Sequence, residues 1–107
     1  AMSASHLAEA EGVLQWAAQR EWAECVQASE DAIVYRPLAP AAIRLRIVGR
    51  AIALLSGVPR GGEVAKLIAR LTAGRDGTLA GVVARHGPSG EWVFRQEPPR
   101  RAGSNRH

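Results

Sequence analysis

The chain has one cysteine, one lysine, one tyrosine and one phenylalanine, and aromatic residues make up only 5% of it. A single Cys25 cannot form a disulfide within the chain, and His6, His86 and His107 stand apart without the spacing of metal ligands. A metal-free domain is expected. No apolar run approaches the roughly 18 residues of a membrane span, and Ala1-Met2-Ser3-Ala4-Ser5-His6 has neither the basic start nor the apolar stretch of a secretory signal. The expected compartment is the cytoplasm. Gly61-Gly62 is not followed by the Gly-Lys-Ser/Thr of a phosphate loop, and no Ser/His/Asp set has the spacing of a triad. The chain by itself is therefore expected to be non-catalytic.

What is present is enough for one small folded domain: 107 residues, 47% hydrophobic and 22% charged. Ala1-Met2 reads as the remnant of a cleaved tag on an internal fragment. The charge is unevenly placed. Residues 1–35 carry six acids against Arg20, a net −5, whereas residues 36–107 carry thirteen cations against Glu63, Asp76, Glu91 and Glu97, a net +9. A basic C-terminal two-thirds makes a polyanion the first partner to consider, nucleic acid ahead of membrane.

Hydrophobic spacing predicts a long amphipathic helix from about Ser5 to Ala28, with Leu7, Ala10, Leu14, Ala17, Ala18 and Cys25 on one side and Trp16 and Trp22 covering a neighbour. Ser29-Glu30-Asp31 ends it. Ala32-Ile33-Val34-Tyr35 is a short strand or extended piece, stopped by Arg36-Pro37. A helix follows from Ala41 to Ser56, with Pro40 ahead of it and Gly57 at its C′ position. The next helix begins near Arg60 or Gly61, carries Val64, Leu67, Ile68 and Leu71 on its core face, and ends at Gly74. Thr78–His86 and Glu91–Arg95, joined by Gly87-Pro88-Ser89-Gly90, form a β-hairpin with Trp92 and Phe94 on one face. These aromatics are expected to pack on the helices, base stacking being the other use of such a pair. Residues 100–107 are a disordered basic tail.

The arginines sort by face. Arg46 and Arg50 are i, i+4 neighbours on the least apolar side of their helix, and Lys66 and Arg70 repeat that spacing on the next. If the helices form a hairpin, the stripes combine into one basic surface; otherwise they are ordinary solvated faces. Arg85 and Arg95 flank the β-hairpin, as phosphate grips or as rim charges. Arg44 interrupts the apolar arc of Ile43, Ile47, Val48, Ala51 and Leu55, so it needs a partner, with Glu63, Asp76 and Glu97 as candidates, or an exit to solvent.

The order of pieces resembles a known family. Leu38-Ala39-Pro40 at a helix start, Arg46-x-Val48-x-Arg50, Ser56-Gly57, Pro59-Arg60 before an amphipathic helix, Thr78-Leu79-Ala80-Gly81, and Arg95-Gln96-Glu97-Pro98 at the end are similar to the segment after the catalytic domain of tRNA(Ile)-lysidine synthetases, in particular the short alphaproteobacterial type. The resemblance covers residues 30–99, with residues 1–29 as the linker helix. It implies an enzyme that uses ATP with magnesium to activate the wobble cytidine of tRNA(Ile) and then attaches lysine, ATP and lysine being handled by a missing N-terminal domain. The Ser-Gly-Gly-x-Asp-Ser loop of that domain is absent here, so only an accessory tRNA-binding role carries over. The tRNA-binding candidates are Arg46, Arg50 and Arg60, which match basic positions of the family, with Lys66, Arg70, Arg85 and Arg95 added by charge and face.

The fold expected is α+β and mostly helical: a long first helix, a helical hairpin and a C-terminal β-hairpin across it. The expected core is Leu14, Trp22, Ile33, Ile47, Val48, Leu54, Leu55, Val64, Leu67, Ile68, Leu71, Leu79, Val82, Trp92 and Phe94. Two other functions fit the same pieces. One is a winged-helix-like DNA-binding domain; the other is a protein-interaction module or homodimer docking through the Trp16/Trp22 helix.

Overall fold

A computed structural model describes residues 4–57 and 61–97. The basic tail and Arg60 lie outside them. The chain runs α1 (Ala4–Cys25), β1 (Val26–Ala28), β2 (Ala32–Tyr35), α2 (Ala41–Leu55), α3 (Gly61–Thr72), β3 (Gly77–Leu79), β4 (Val82–His86) and β5 (Trp92–Gln96). The strands form one antiparallel sheet in the order β1-β2-β5-β4-β3. The α+β class is as expected, but the sheet is larger than the single hairpin read from the sequence.

Three elements account for the difference. The first helix stops at Cys25, because Val26, Gln27 and Ala28 pair with Tyr35, Val34 and Ile33. Ladder pairing of a β-branched start outweighs helical propensity there. Second, the stretch from Thr78 to His86 is two strands. Leu79 pairs with Val82 across a two-residue turn in which Ala80 (φ 52°) and Gly81 (φ 80°) both take the left-handed conformation, the geometry that suits a tight hairpin to the twist of its strands. Thr78-Leu79-Ala80-Gly81 thus leads into and makes the β3–β4 turn. Third, β2 is a central strand, hydrogen-bonded to β1 and to β5.

Helix ends follow local rules with one exception. Gly74 (φ 78°) closes α3: its N–H donates to the Leu71 carbonyl at 3.0 Å, and Arg75 N–H donates to the Arg70 carbonyl at 2.8 Å, the paired bonds of a Schellman stop. Helix α2 instead ends at Ser56, whose N–H reaches the Ile52 carbonyl at 2.9 Å, and Gly57 does not adopt a positive φ.

Helices α2 and α3 pack together and cover one face of the sheet, and α1 packs on α2. Between helices and sheet lies the core: Ile33 and Tyr35 of β2, Val82 and Ala84 of β4, Trp92 and Phe94 of β5, Ile43, Ile47, Val48, Ala51 and Ile52 of α2, and Val64, Leu67 and Leu71 of α3. Tyr35 and Trp92 meet edge to face at 5.8 Å. Both C-terminal aromatics are buried, so neither is a platform for bases. Leu54 departs from expectation: it sits in the last turn of α2, outside the covered arc, and is 61% exposed. Trp16 departs too, standing 59% exposed on the side of α1 opposite Leu14, Ala17, Ala18 and Cys25, while Trp22 packs against the core.

Candidate nucleic-acid interface

The cations separate into two groups according to which element lies beside them. On α2, Arg46 and Arg50 face α1. Arg46 makes a two-pronged ion pair with Glu11, at 2.8 and 2.7 Å. The shared hydrogen bonds hold the Glu11 carboxyl below its usual range and the Arg46 guanidinium above its own. Arg50 lies over the Trp22 ring, 4.4 Å from its centroid, near enough for a favourable cation–π contact. The stripe on α2 therefore faces the acidic helix.

What seats α1 so firmly is Glu21, a buried carboxylate that sequence reasoning missed. It accepts hydrogen bonds from the Tyr35 hydroxyl at 2.8 Å, Leu38 N–H at 2.9 Å, Ala39 N–H at 3.0 Å and the Cys25 thiol at 3.4 Å. Burial pushes its pKa up, but those four donors outweigh burial and hold it below the usual carboxylate range. Burial, followed by the hydrogen bond to Glu21 and then its charge, pushes the Tyr35 phenol and the Cys25 thiol up. The signal was readable: position 21 shares the helical face of Ala17, Ala18 and Cys25, where an acid needs donors.

The second group stands around α3 and the sheet. Strand alternation sends Ile33, Tyr35, Val82, Ala84, Trp92 and Phe94 toward the helices, so their neighbours face the other way. Register then sets two rows across the open face: Gln27, Val34, Val93 and Arg85; and Ala32, Arg95, Val83 and Thr78. Arg85 and Arg95 are diagonal neighbours on the β4–β5 ladder. Arg36, also missed from the sequence, follows Val34 on the same face, near enough to Glu91 for its charge to act on that carboxyl.

Arg70, in the last turn of α3, donates from Nε to the Asp76 carbonyl at 2.9 Å. That bond brings it beside β3 and β4, where it lines one cavity with Thr78 and Arg85 and an adjoining one with Lys66 and Thr78. Arg70 and Arg85 thus meet beside β3, with Lys66 next to Arg70 on α3 and Arg95 on the open face of the sheet. Among the described residues, none of the four pairs with a carboxylate; the only ion pairs there are Arg46–Glu11 and Arg20–Glu24.

Arg44 finds none of its expected partners. Its Nε is buried without a hydrogen bond, and its charge is close enough to act on the Tyr35 phenol. Asp76 is engaged otherwise, its Oδ1 accepting from His86 N–H at 2.9 Å.

Over 104 residues, 95% of this chain, 39% of positions are identical with the tRNA(Ile)-lysidine synthase of Novosphingobium aromaticivorans. The chain is similar to a domain of a tRNA(Ile)-lysidine synthase. It spans 32% of the length of that relative, about one third. The likeness to tRNA(Ile)-lysidine synthase bears out the resemblance carried by the Leu38–Pro40, Arg46–Arg50, Pro59-Arg60 and Thr78–Gly81 motifs. No family model matches the chain. No solved structure matches it either.

Proposed function

We propose that this chain is a tRNA-gripping accessory domain of a tRNA(Ile)-lysidine synthase, holding tRNA(Ile) while another part of the enzyme uses ATP to join lysine to the wobble cytidine. The observation that carries the reading is the meeting of Arg70 and Arg85 in one cavity, with Lys66 and Arg95 to either side and none of the four paired with a described carboxylate, in a chain similar to a tRNA-modifying enzyme. Phosphate contacts position a nucleic acid without reading its bases, which is the task left to a domain that lacks the Ser-Gly-Gly-x-Asp-Ser loop. The described residues offer no cluster of three His, Cys, Asp or Glu to hold a metal ion, so no step through magnesium-bound ATP is assigned to them.

In this reading the working cations are those of α3 and the open sheet face, and Arg46 and Arg50 serve the fold. Filter binding of the purified domain to deacylated tRNA and to duplex DNA of similar charge, over a series of salt concentrations, tests it. Tighter binding to tRNA with a steep salt slope is expected. Preference for the duplex would favour a winged-helix-like DNA-binding role, and absence of binding to either at low salt would overturn the reading for the isolated domain. A second reading rests on Trp16 and Val13, 59% and 63% exposed on α1: docking of α1 on another protein or a second copy, checked by concentration-dependent mass in solution.

A further inference from the structure

The cavity between the end of α3 and the β3–β4 hairpin is lined by Arg70, Asp76, Gly77, Thr78, Val83 and Arg85 and has a volume of about 480 Å³. We propose that it seats one backbone phosphodiester of the bound RNA, an assignment that rests on the tRNA-gripping reading and names its anchoring point.

The seat is built in three steps from local structure. The Schellman stop at Gly74 turns the chain back so that the Asp76 carbonyl meets Arg70 Nε at 2.9 Å. This fixes the plane of the guanidinium through its inner nitrogen, and no described residue hydrogen-bonds its two outer nitrogens, the pair that makes a two-pronged contact with phosphate oxygens. Gly77 provides the room. A Cβ there would lie 2.7 Å from Leu67 Cδ1 and 3.2 Å from Arg70 Nε, so a side chain would force Leu67 to shift and press on the arginine. Finally, Asp76 Oδ1 is held by His86 N–H, and the carboxylate pairs with neither Arg70 nor Arg85.

Charge selects the ligand. Two guanidiniums against one carboxylate leave the lining one positive charge. That balance matches the single negative charge of a phosphodiester and under-compensates a phosphate monoester dianion. Thr78 places a hydroxyl donor beside Val83, and Arg95 lies across Val83 in the same row, which extends the positive surface along the sheet toward a neighbouring phosphate.

Two measurements on the intact chain decide the matter. In the first, tRNA affinity and salt slope are compared for the wild type, Arg85→Ala, Thr78→Val and the charge-matched Arg20→Ala, a substitution on α1. Arg85→Ala is expected to weaken binding about tenfold and to lower the slope by roughly 0.7–0.9, Thr78→Val to weaken it less, and Arg20→Ala to change little. Equal effects of Arg85→Ala and Arg20→Ala would overturn the seat while leaving the gripping role intact. In the second, backbone amide shifts are followed by NMR during titration with dimethyl phosphate and with inorganic phosphate. Shifts confined to Gly77, Thr78, Val83 and Arg85, larger for the diester, are expected. Scattered shifts, none, or equal shifts with the dianion overturn the seat. Confined shifts in a domain that holds no tRNA would instead keep the diester site and reject the gripping role.

Discussion

The α1–α2 side and the α3–sheet side of this molecule carry the same kinds of residues and use them in opposite ways. Arg46 and Arg50 occupy the polar flank of α2, and α1 lies on that flank with Glu11 and Trp22 in place to receive them. Arg70 and Arg85 flank α3 and β4, and what meets them is a backbone carbonyl and an open cavity. A cationic stripe on a helix is therefore not yet a binding face. Whether it becomes one depends on the charge of the next element, and here the acidic first third of the chain is folded back over only one of the two stripes.

The largest effect that would break this contrast is on binding. Replacing Lys66, Arg70, Arg85 and Arg95 together with alanine is expected to remove most of the salt-dependent affinity for tRNA, a fall in slope of roughly 3 if each neutralises one phosphate. Arg46→Ala/Arg50→Ala removes half as much charge and is expected to leave the slope nearly unchanged while lowering the thermal midpoint. Equal slopes per charge removed would mean generic attraction, with no distinction between the two sides.

Stability gives the next test. Glu21→Ala leaves the Tyr35 hydroxyl and the amides of Leu38 and Ala39 without their shared acceptor, and a loss of about 3 kcal/mol in urea unfolding is expected. The pH dependence follows from the depressed folded-state pKa of Glu21. The unfolded chain, with a carboxyl near about 4.3, binds the proton first, so this stabilisation is fully present above that value and is lost as pH falls through the lower folded value. Glu21→Gln should flatten that limb of the curve. An unchanged acid limb would place the latch on α1 elsewhere.

How much of this was legible differs element by element. The helices were readable because Ile43/Ile47/Ala51 and Val64/Leu67/Leu71 repeat at helical spacing and Gly74 marks an end. The buried fate of Trp92 and Phe94 followed from alternation. The five-stranded sheet was not readable, since β1 and β3 are three residues each and such runs are specified by their partners more than by their own composition. Tyr35, Ile52 and Ala84 joined the core unannounced, and Ile43 and Ala51 joined it from the apolar arc already read on α2. For the proposed site, Lys66, Arg70, Arg85 and Arg95 were named as candidates by charge and face, but the meeting of Arg70 with Arg85 depends on the turn at Gly74 and on the strand register. The contacts of Arg46 with Glu11 and of Arg50 with Trp22 needed the position of α1, the first of them between residues 35 apart in the chain, and no local pattern carries it.

Smaller effects sharpen the picture of what holds each side. Gly81→Ala puts a Cβ on a residue with φ 80°, 3.0 Å from Ser56 Oγ, and a cost of about 1–2 kcal/mol is expected in thermal melts. Since this turn supports β3 and β4, amide shifts in the Arg70/Thr78/Arg85 cavity should follow, with none at Arg46.

The smallest effect is the most discriminating for α1. A double-mutant cycle of Arg50→Ala and Trp22→Leu isolates the guanidinium–indole contact from the packing that Trp22 also supplies, provided that leucine keeps most of the apolar cover. A coupling of about 0.5–1 kcal/mol is expected for a partly exposed pair, measured by urea unfolding at high salt so that long-range charge effects are screened. The same cycle read out by tRNA affinity should give no coupling, because in this arrangement Arg50 is committed to Trp22 and not to phosphate. Coupling that appears in affinity but is absent from stability would invert the assignment, making the α2 stripe the working surface and the docking of α1 incidental.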